Sequence, residues 1–275
     1  MKHKMDIYTR KYLIHEIIRE ATGRDFSALS KAGANIRALR VKCLFDFDRV
    51  LTVMNWEKNK QNLYVGCAKL KSIPDFTFNP KNRSKETSVW YKEQFNNFIE
   101  SYDLFFDFDK EPEDSWEDLI KDVKILKDYL DEYKVPYYLL FSGNKGFQIV
   151  IDGQYLAIER FELGNVFPHK SIQEKIKAMI GLKFLDLANN GVNSRLRKVP
   201  YSLVPNGLDD EQEMNMAFPL TDIQFDTFRI ENMKVKNILA STKLMRRGIL
   251  ERFQELSLEE KKKNLQTFIS LFSFK

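Results

Sequence analysis

The sequence predicts an α+β fold in which mixed β-sheets are flanked by helices. Short apolar runs bounded by polar turns have the length and composition of strands, for example at residues 102–109 and 147–151. Residues 116–133 instead space their apolar side chains as an amphipathic helix does. The 275 residues are 43% hydrophobic, which is enough for one elaborated domain, and they contain no repeat of fixed period.

The first part of the chain predicts an N-terminal helical segment, residues 1–35, in front of a core at residues 36–235. Residues 8–21 have helical apolar spacing, and the small and polar residues 22–34 predict a loop. Three apolar runs then predict strands, at residues 39–47, 50–54 and 62–70. The polar residues 74–87 predict a second loop.

A helix and a hairpin are predicted in the middle of the core, after the strand at residues 102–109. Ser115 and Asp118 have the spacing of a capping box, which begins a helix that ends near residue 133. Two apolar runs, 137–141 and 147–151, flank a polar turn with two glycines, and this pattern is typical of a hairpin.

Two more capping boxes predict helices in the second half of the chain. Ser171 with Glu174 begins a helix that ends near residue 180, and Ser257 with Glu260 begins one that ends near residue 274. Residues 236–275 are therefore expected to form a helical tail packed on the core. The tail carries five apolar residues that we expect to pack on the chain's own core rather than on a partner: Leu265, Phe268, Ile269, Leu271 and Phe272.

Composition excludes several classes of protein. The formal net charge of +5 permits a local phosphate-binding patch but is too small for a polybasic binder. Cys43 and Cys67 are the only cysteines, and there are three histidines, so we expect neither a disulfide framework nor a structural zinc site. Residues 1–24 contain no long apolar stretch, which predicts a cytoplasmic protein, at a nucleoid or replication site, rather than a secreted or membrane protein.

A pair of carboxylates gives the first chemical signal. Asp107 and Asp109 lie two residues apart in a predicted strand, so both side chains point to one face while Phe106 and Phe108 point to the other. Two adjacent carboxylates repel each other unless a cation lies between them, and Mg²⁺ and Mn²⁺ prefer such oxygen ligands. The alternative is a pair of solvated carboxylates on an exposed strand.

Two other segments suit phosphate groups. The turn at residues 142–146 offers a hydroxyl, an amide, an ammonium group and free backbone N–H groups. Asp186 lies in an apolar run and is followed by three cations, Arg195, Arg197 and Lys198. Each segment alone is equally compatible with an ordinary polar turn.

In combination, the three segments resemble the archaeo-eukaryotic primase superfamily in order and spacing. The matching residues are 106–109, 142–148, and 185–186 with 195–203, and weaker matches at 62–66 and 218–221 extend the likeness to about residues 60–225. The resemblance implies a primase-type catalytic core in a compact form without a zinc knuckle, from a virus, plasmid or other mobile element. It implies a primase or primase-polymerase that makes or extends primers from nucleoside triphosphates on single-stranded DNA, with a helicase or second primase subunit as a further partner.

The resemblance also implies roles for individual residues. Asp107, Asp109 and Asp186 would hold two catalytic Mg²⁺ or Mn²⁺ ions. The nucleotide would be bound by eight residues: Ser142, Asn144, Lys145, Gly146, Gln148, Arg195, Arg197 and Ser202. One position departs from the family pattern, since Gln148 stands where the family has a histidine that contacts the triphosphate. An amide can donate a hydrogen bond but cannot carry charge or move a proton.

Two alternatives have sequence support. Gln148 is compatible with a primase-like subunit that has weak or no catalysis and only binds nucleic acid. Residues 44–52 are similar to the first motif of haloacid-dehalogenase-type phosphatases, in which Asp46 would be the nucleophile and Asp48 its partner. Ser142, Asp209 and Asp210 would complete that site, but it would leave the arginine-rich segment without a role.

Overall fold

Two antiparallel sheets and the helices around them form an α+β fold. The computed structural model describes residues 10–29, 35–53, 62–72, 89–90, 93–156, 169–187, 195–205, 208, 210, 212–240 and 252–272. In these residues the α-helices include α1 (Lys11–Ala21), α2 (Leu44–Val53), α3 (Trp116–Glu132), α4 (His169–Ile180), α5 (Asp222–Asp226), α6 (Val235–Ala240) and α7 (Leu258–Leu271). Short 3₁₀ helices lie at Phe95–Phe98, Gly153–Tyr155 and Ile230–Met233.

The first sheet contains five of the described strands. They are β1 (Arg24–Leu29), β2 (Asn35–Leu39), β3 (Asn62–Leu70), β4 (Ile99–Tyr102) and β8 (Leu196–Lys198). The strand order is β2-β1-β3-β4. β8 also pairs with β3, at residues 64–66, whereas β4 pairs with residues 68–70, so that β3 is the central strand of the sheet.

The second sheet has four strands in the order β11-β6-β7-β5. They are β5 (Leu104–Asp109), β6 (Tyr138–Phe141), β7 (Gly146–Ile151) and β11 (Phe218–Leu220). A two-stranded ribbon, β9 (Leu203–Val204) with β10 (Asn215–Met216), follows β8. One face of the second sheet is apolar and packs on α3 and α5, as the edge-to-face pair Phe147 and Phe225 illustrates, with ring centroids 5.3 Å apart.

Asp103 is the point at which the chain passes from the first sheet to the second, between β4 and β5. Its carboxylate is 1% exposed and accepts hydrogen bonds of 3.0 Å from Arg24 Nη2, Arg197 Nε and the Gly153 backbone N–H. Arg197 Nη2 also donates to Glu20 Oε2 of α1 at 2.8 Å. These buried ion pairs tie α1 and both sheets to one junction.

Several predicted elements are confirmed. Ser115 caps α3 by accepting from the Asp118 backbone N–H at 3.0 Å. The hairpin of β6 and β7, the strand β3, and α1 and α7 all lie where the sequence predicts them. Of the five apolar tail residues expected to pack on the core, Leu265, Phe268 and Phe272 are buried and Ile269 packs against the core, whereas Leu271 is 39% exposed.

Other predictions of secondary structure are wrong. Residues 44–53, predicted as parts of two strands, form the helix α2, and residues 24–29, predicted as a loop, form β1. Since β1 pairs with β3, the predicted boundary at residue 35 does not separate the N-terminal segment from the core sheet.

Two boundaries also differ from the prediction. The strand expected at residues 102–109 is divided at Asp103 between the two sheets. α4 begins at His169, so Ser171 lies inside the helix and does not cap it. The loop predicted at residues 74–87 lies outside the described residues.

Among the described helices, none has the length and apolar character needed to span a bilayer.

Candidate active site

The alternation of β5 places two acidic residues on one face of the second sheet. Phe106 and Phe108 are fully buried on the opposite face, while Asp107 and Asp109 are partly exposed. The predicted orientation of this pair is therefore confirmed.

Asp186 joins them from a segment that runs antiparallel beside β5. The Asp109 backbone N–H donates to Phe184 O at 3.1 Å, and the Asp186 N–H donates to Asp107 O at 2.8 Å. An isolated bridge between Phe108 and Leu185 completes this short pairing. As a result, one carboxylate oxygen from each of Asp107, Asp109 and Asp186 lies within 4.8 Å of the other two. We call these three residues the acidic cluster.

The segment that carries Asp186 is held by a residue that was not predicted from the sequence. Asp122 of α3 is 6% exposed, and its carboxylate accepts from the backbone N–H groups of Lys183 at 2.9 Å and Phe184 at 2.8 Å. Lys177 Nζ donates to Leu185 O at 2.6 Å. The sequence could have indicated this role, because Asp122 lies within the apolar face of a predicted helix. A carboxylate at such a position needs a hydrogen-bonding or ionic partner, since burying an unpaired charge is costly.

The electrostatics of the acidic cluster suit a divalent cation. Burial, and secondly the charge of Asp109, raise the pKa of Asp107 from 3.8 to about 7. Lys145 Nζ lies 3.0 Å from Asp109 Oδ2, and this hydrogen bond raises the pKa of Lys145. Three converging carboxylates are a hard oxygen donor set of the kind that Mg²⁺ and Mn²⁺ bind.

The turn between β6 and β7 lies directly against this cluster. Gly146 pairs with Asp109, and a Cβ at Gly146 would lie 1.8 Å from Phe108 O and 2.6 Å from Asp109 Oδ1. Only glycine therefore allows this close approach of the two strands. Asn144 and Lys145 are exposed at the tip of the turn, whereas the side chain of Ser142 is buried.

Gln148 connects the acidic cluster to β8. It pairs with Asp107 across β5 and β7, and its Nε2 donates to Asp107 Oδ1 at 3.2 Å. Its Oε1 accepts from the Lys198 backbone N–H at 3.3 Å, and the residue is 4% exposed. Gln148 thus positions a carboxylate and a neighbouring strand.

Two cations of the arginine-rich segment lie near the acidic cluster. The buried ammonium group of Lys198 lies 4.4 Å from the ring centroid of Tyr64; burial lowers its pKa to about 7, although the charges of Asp107 and Asp109 oppose this shift. Arg195 lies over the Phe105 ring at 4.3 Å, and its charge acts to lower the pKa of Asp107. Lys198 lies in the arginine-rich segment but is not among the nucleotide-binding residues predicted from the sequence.

The structure does not bring the other predicted phosphate contacts to this site. Arg197 is 2% exposed and forms ion pairs with Asp103 and Glu20. Ser202 is fully buried, and its hydroxyl accepts from the Leu63 backbone N–H at 2.8 Å. Both residues therefore stabilise the interior, and their prediction as nucleotide ligands has no support in these contacts.

The phosphatase alternative fails on its first motif. Asp46 and Asp48 lie on the helix α2 and not at the end of a strand. Asp46 accepts a hydrogen bond from the Lys42 backbone N–H at 2.9 Å, which is a local helix-start contact. Of the three residues proposed to complete that site, Ser142 is buried, Asp210 is exposed and Asp209 lies outside the described residues.

A change at Asp107 should reveal the cost of ionising this carboxyl group, which burial and secondly the charge of Asp109 impose. A folded-state pKa near 7 means that Asp107 ionises more readily in the unfolded chain, so its contribution to stability is lost as pH rises from about 4 through 7. In EDTA, Asp107→Asn is therefore expected to raise the free energy of unfolding by on the order of 2 kcal/mol at pH 8, and by much less at pH 4.5. Urea unfolding at both pH values measures this. A difference that does not change with pH, or an equal gain from the exposed Asp128→Asn, would contradict the prediction.

Comparison with known proteins gives only distant structural similarity. No protein-family model and no curated protein matches the sequence. The polymerase domain of ligase D from Mycobacterium tuberculosis, in complex with DNA, is 11% identical, with a TM-score of 0.49 over 86% of this chain and 90% of that one. Primase RepB′ is 9% identical, with a TM-score of 0.42 over 95% of this chain and 68% of that one. Similarity at this level assigns no role to any residue.

Proposed function

We propose that this chain is a template-dependent nucleotidyltransferase of the primase-polymerase type, which makes or extends primers on single-stranded DNA. The observation that carries the proposal is the acidic cluster, in which carboxylate oxygens of Asp107, Asp109 and Asp186 lie within 4.8 Å of one another. The glycine-bearing turn lies against the cluster, and Arg195 and Lys198 of the arginine-rich segment lie near it.

The acidic cluster is the place where catalytic metal would be held. Asp107, Asp109 and Asp186 are the ligands we assign to Mg²⁺ or Mn²⁺. Such ions, when bound, lower the pKa of a primer 3′-hydroxyl and neutralise charge on the departing pyrophosphate. Asp122 and Gln148 position this ligand set, because they hold the segment of Asp186 and the carboxylate of Asp107.

Cationic and polar groups beside the cluster would bind the triphosphate. Asn144 and Lys145 are exposed on the turn next to Asp109, and Lys198 and Arg195 approach the cluster from the side of β8. Lysine and arginine suit phosphate oxygens by charge and by hydrogen-bond geometry. In this assignment Lys198 takes the nucleotide-binding role that the family resemblance implied for Arg197.

The proposal is tested by incubating the protein with a single-stranded DNA template, labelled nucleotides and Mg²⁺ or Mn²⁺, with and without a primer. We expect products from the wild type and none from the Asp107→Ala/Asp109→Ala double variant. Products in the lane without primer would identify a primase, and products only with primer would identify an extending polymerase. Equal products from the wild type and the double variant would contradict the assignment of the acidic cluster.

A second candidate is a nucleic-acid-binding subunit without catalysis. The observation in its favour is that both ends of the Gln148 amide are engaged inside the protein, so the residue offers no charged group to a triphosphate. This candidate predicts DNA binding without incorporation in the same experiment. The helicase or second subunit stays a prediction, since Leu265 and Phe268 of the C-terminal tail are buried in the chain's own core.

A further inference from the structure

The ring of Phe105 lies on the same face of the second sheet as the acidic cluster. Side chains two residues apart on a strand point to one face, so Phe105 of β5 continues the row that Asp107 and Asp109 form. The guanidinium group of Arg195 lies over this ring, 4.3 Å from its centroid. Arg195 is therefore placed beside the neighbour of Asp107 on this face, and its charge acts to lower the pKa of Asp107.

Arg195 differs from the other buried arginines in the described ranges because it has no carboxylate partner there. Arg24 and Arg197 both pair with Asp103, whereas Arg195 is 7% exposed and makes no ion pair with a described residue. A buried cation of this kind is costly unless an anion completes it. Unlike Arg197, Arg195 has no nitrogen that is buried without a hydrogen-bond partner. Its donors that do not face the protein therefore reach solvent, where an anion can approach.

His169, the first residue of α4, defines the position of this guanidinium group. Nδ1 of His169 lies 3.3 Å from Arg195 Nη1, and the imidazole ring stacks on Phe105 with centroids 6.1 Å apart. The guanidinium group is thus confined by the face of one ring and the edge of another. His169 is 1% exposed and cannot contact a substrate itself, so any effect on a substrate would pass through Arg195.

The contact with His169 confines Arg195 without fully occupying its donors. Burial, and secondly the charge of Arg195, lower the pKa of His169 from 6.5 to about 3, so the ring is neutral near pH 7. A neutral imidazole has one acceptor nitrogen. The Phe105 backbone N–H donates to Nε2 at 3.0 Å and competes with Arg195 Nη1 for that single acceptor. The donors of Arg195 therefore stay available to an oxyanion.

Gln173, one turn further along α4, provides a comparison. Its Nε2 donates to the Phe105 backbone C=O, while His169 accepts from the Phe105 N–H, so both side chains support the edge of β5. The described contacts of the Arg195 side chain are with His169 and Phe105 and not with Gln173. The two residues of α4 thus separate support of β5 from support of Arg195.

We propose that His169 is a positioning residue for nucleotide binding, which together with the Phe105 ring holds the guanidinium group of Arg195 toward a triphosphate at the acidic cluster. The inference rests on the proposed function, since it takes a nucleoside triphosphate as the anion that pairs with Arg195. Guanidinium groups bind phosphate oxygens by charge and by paired hydrogen bonds. A guanidinium group that is already confined loses less freedom when the triphosphate binds, which increases affinity.

Calorimetric titration with ATP and dATP, in Mg²⁺ and without template DNA, tests the proposal. His169→Gln keeps an acceptor for the Phe105 N–H but removes the ring beside Arg195, and it is expected to weaken nucleotide binding roughly tenfold. Gln173→Leu removes only the contact with the Phe105 C=O, so it is expected to lower the free energy of unfolding and to keep the wild-type affinity. No binding of either nucleotide to the wild type at millimolar concentration would overturn the proposal. So would wild-type affinity in His169→Gln, or an equal loss in Gln173→Leu.

A double-variant cycle shows whether His169 acts through Arg195. Arg195→Met is expected to weaken nucleotide binding roughly hundredfold. It should fold, because it leaves no described carboxylate without its partner. With Arg195 absent there is nothing left to position, so His169→Gln/Arg195→Met should bind no more weakly than Arg195→Met alone. Losses that multiply in the double variant would overturn the proposal.

Phe105→Leu gives a second variant should His169→Gln not fold. It removes the ring beneath Arg195 and leaves both backbone contacts of residue 105 in place. We expect a loss of affinity that disappears in the Arg195→Met background, and a loss that persists there would overturn the proposal.

Kinetics separate positioning from a general loss of structure. In the incorporation assay His169→Gln is expected to raise KM for the nucleotide roughly tenfold and to change kcat by less than about threefold. A lower kcat at unchanged KM would overturn the proposal. A wild type that binds nucleotide but incorporates none would contradict the nucleotidyltransferase and leave this inference standing, because affinity alone decides it.

Discussion

Replacing Asp186 with alanine is expected to lower the rate of nucleotide incorporation about a thousandfold, which corresponds to about 4 kcal/mol of transition-state stabilisation. Asp186 contributes one of the three converging carboxylates and is the only one that comes from outside β5. Its backbone N–H still pairs with Asp107 O in the variant, so the segment should keep its position. A lower rate in this variant therefore measures the contribution of the Asp186 carboxylate and not a shift of the backbone.

The measurement is the single-turnover rate of primer extension under saturating Mn²⁺. Asp128→Ala is the matched control, because Asp128 is an exposed carboxylate on α3 whose ion pair with Lys124 is a surface pair. We expect the control to retain the wild-type rate. If Asp186→Ala keeps more than about a tenth of that rate, Asp186 is not a metal ligand in the reaction.

Replacing Arg197 with leucine is expected to lower the free energy of unfolding by about 3–5 kcal/mol. Arg197 is buried at the sheet junction and pairs with both Asp103 and Glu20. In the variant, Arg24 is the remaining cationic partner of Asp103, which is 1% exposed. Glu20 loses its ion pair with Arg197, which is the cationic partner that the described residues give it. A buried carboxylate that loses part of its compensation is strongly destabilising.

Urea unfolding at pH 7 measures this effect. Arg19→Ala is the control, since the Arg19 side chain is 53% exposed and pairs with Glu16 on the helix surface, where such a pair contributes less than about 1 kcal/mol. An Arg197→Leu loss as small as that of Arg19→Ala would contradict the structural role and would restore Arg197 as a candidate ligand.

Sequence patterns predicted the helix starts, the strand alternation and the hairpin turn, which depend on hydrogen bonds and backbone geometry within a few residues. Ser115 and Ser257 begin helices because each side chain accepts from a backbone N–H in the first turn. The alternation of β5 was enough to place Asp107 and Asp109 on one face, and the glycines of the turn predicted the hairpin. These features depend on residues within a few positions of one another.

Features set by distant contacts were not predictable in this way. The apolar run of α2 is equally compatible with a strand, and periodicity alone does not separate the two in so short a segment. β1 contains Asp25 and Ser27, which are buried although polar, so composition suggested a loop. Arg197 and Lys198 are consecutive residues of β8, yet Arg197 lies at the Asp103 junction and Lys198 lies near the acidic cluster. This difference depends on how the two sheets meet, which the sequence does not indicate.

Binding of Mn²⁺ to the acidic cluster is the decisive measurement for the proposed function. Free Mn²⁺ is followed by electron paramagnetic resonance during titration of the wild type, the Asp107→Asn/Asp186→Asn double variant and the Asp128→Asn control. We expect the wild type and the control to bind Mn²⁺ alike and the double variant to lose this binding. Unchanged binding in the double variant would contradict the acidic cluster as the metal site and, with it, the proposed nucleotidyltransferase.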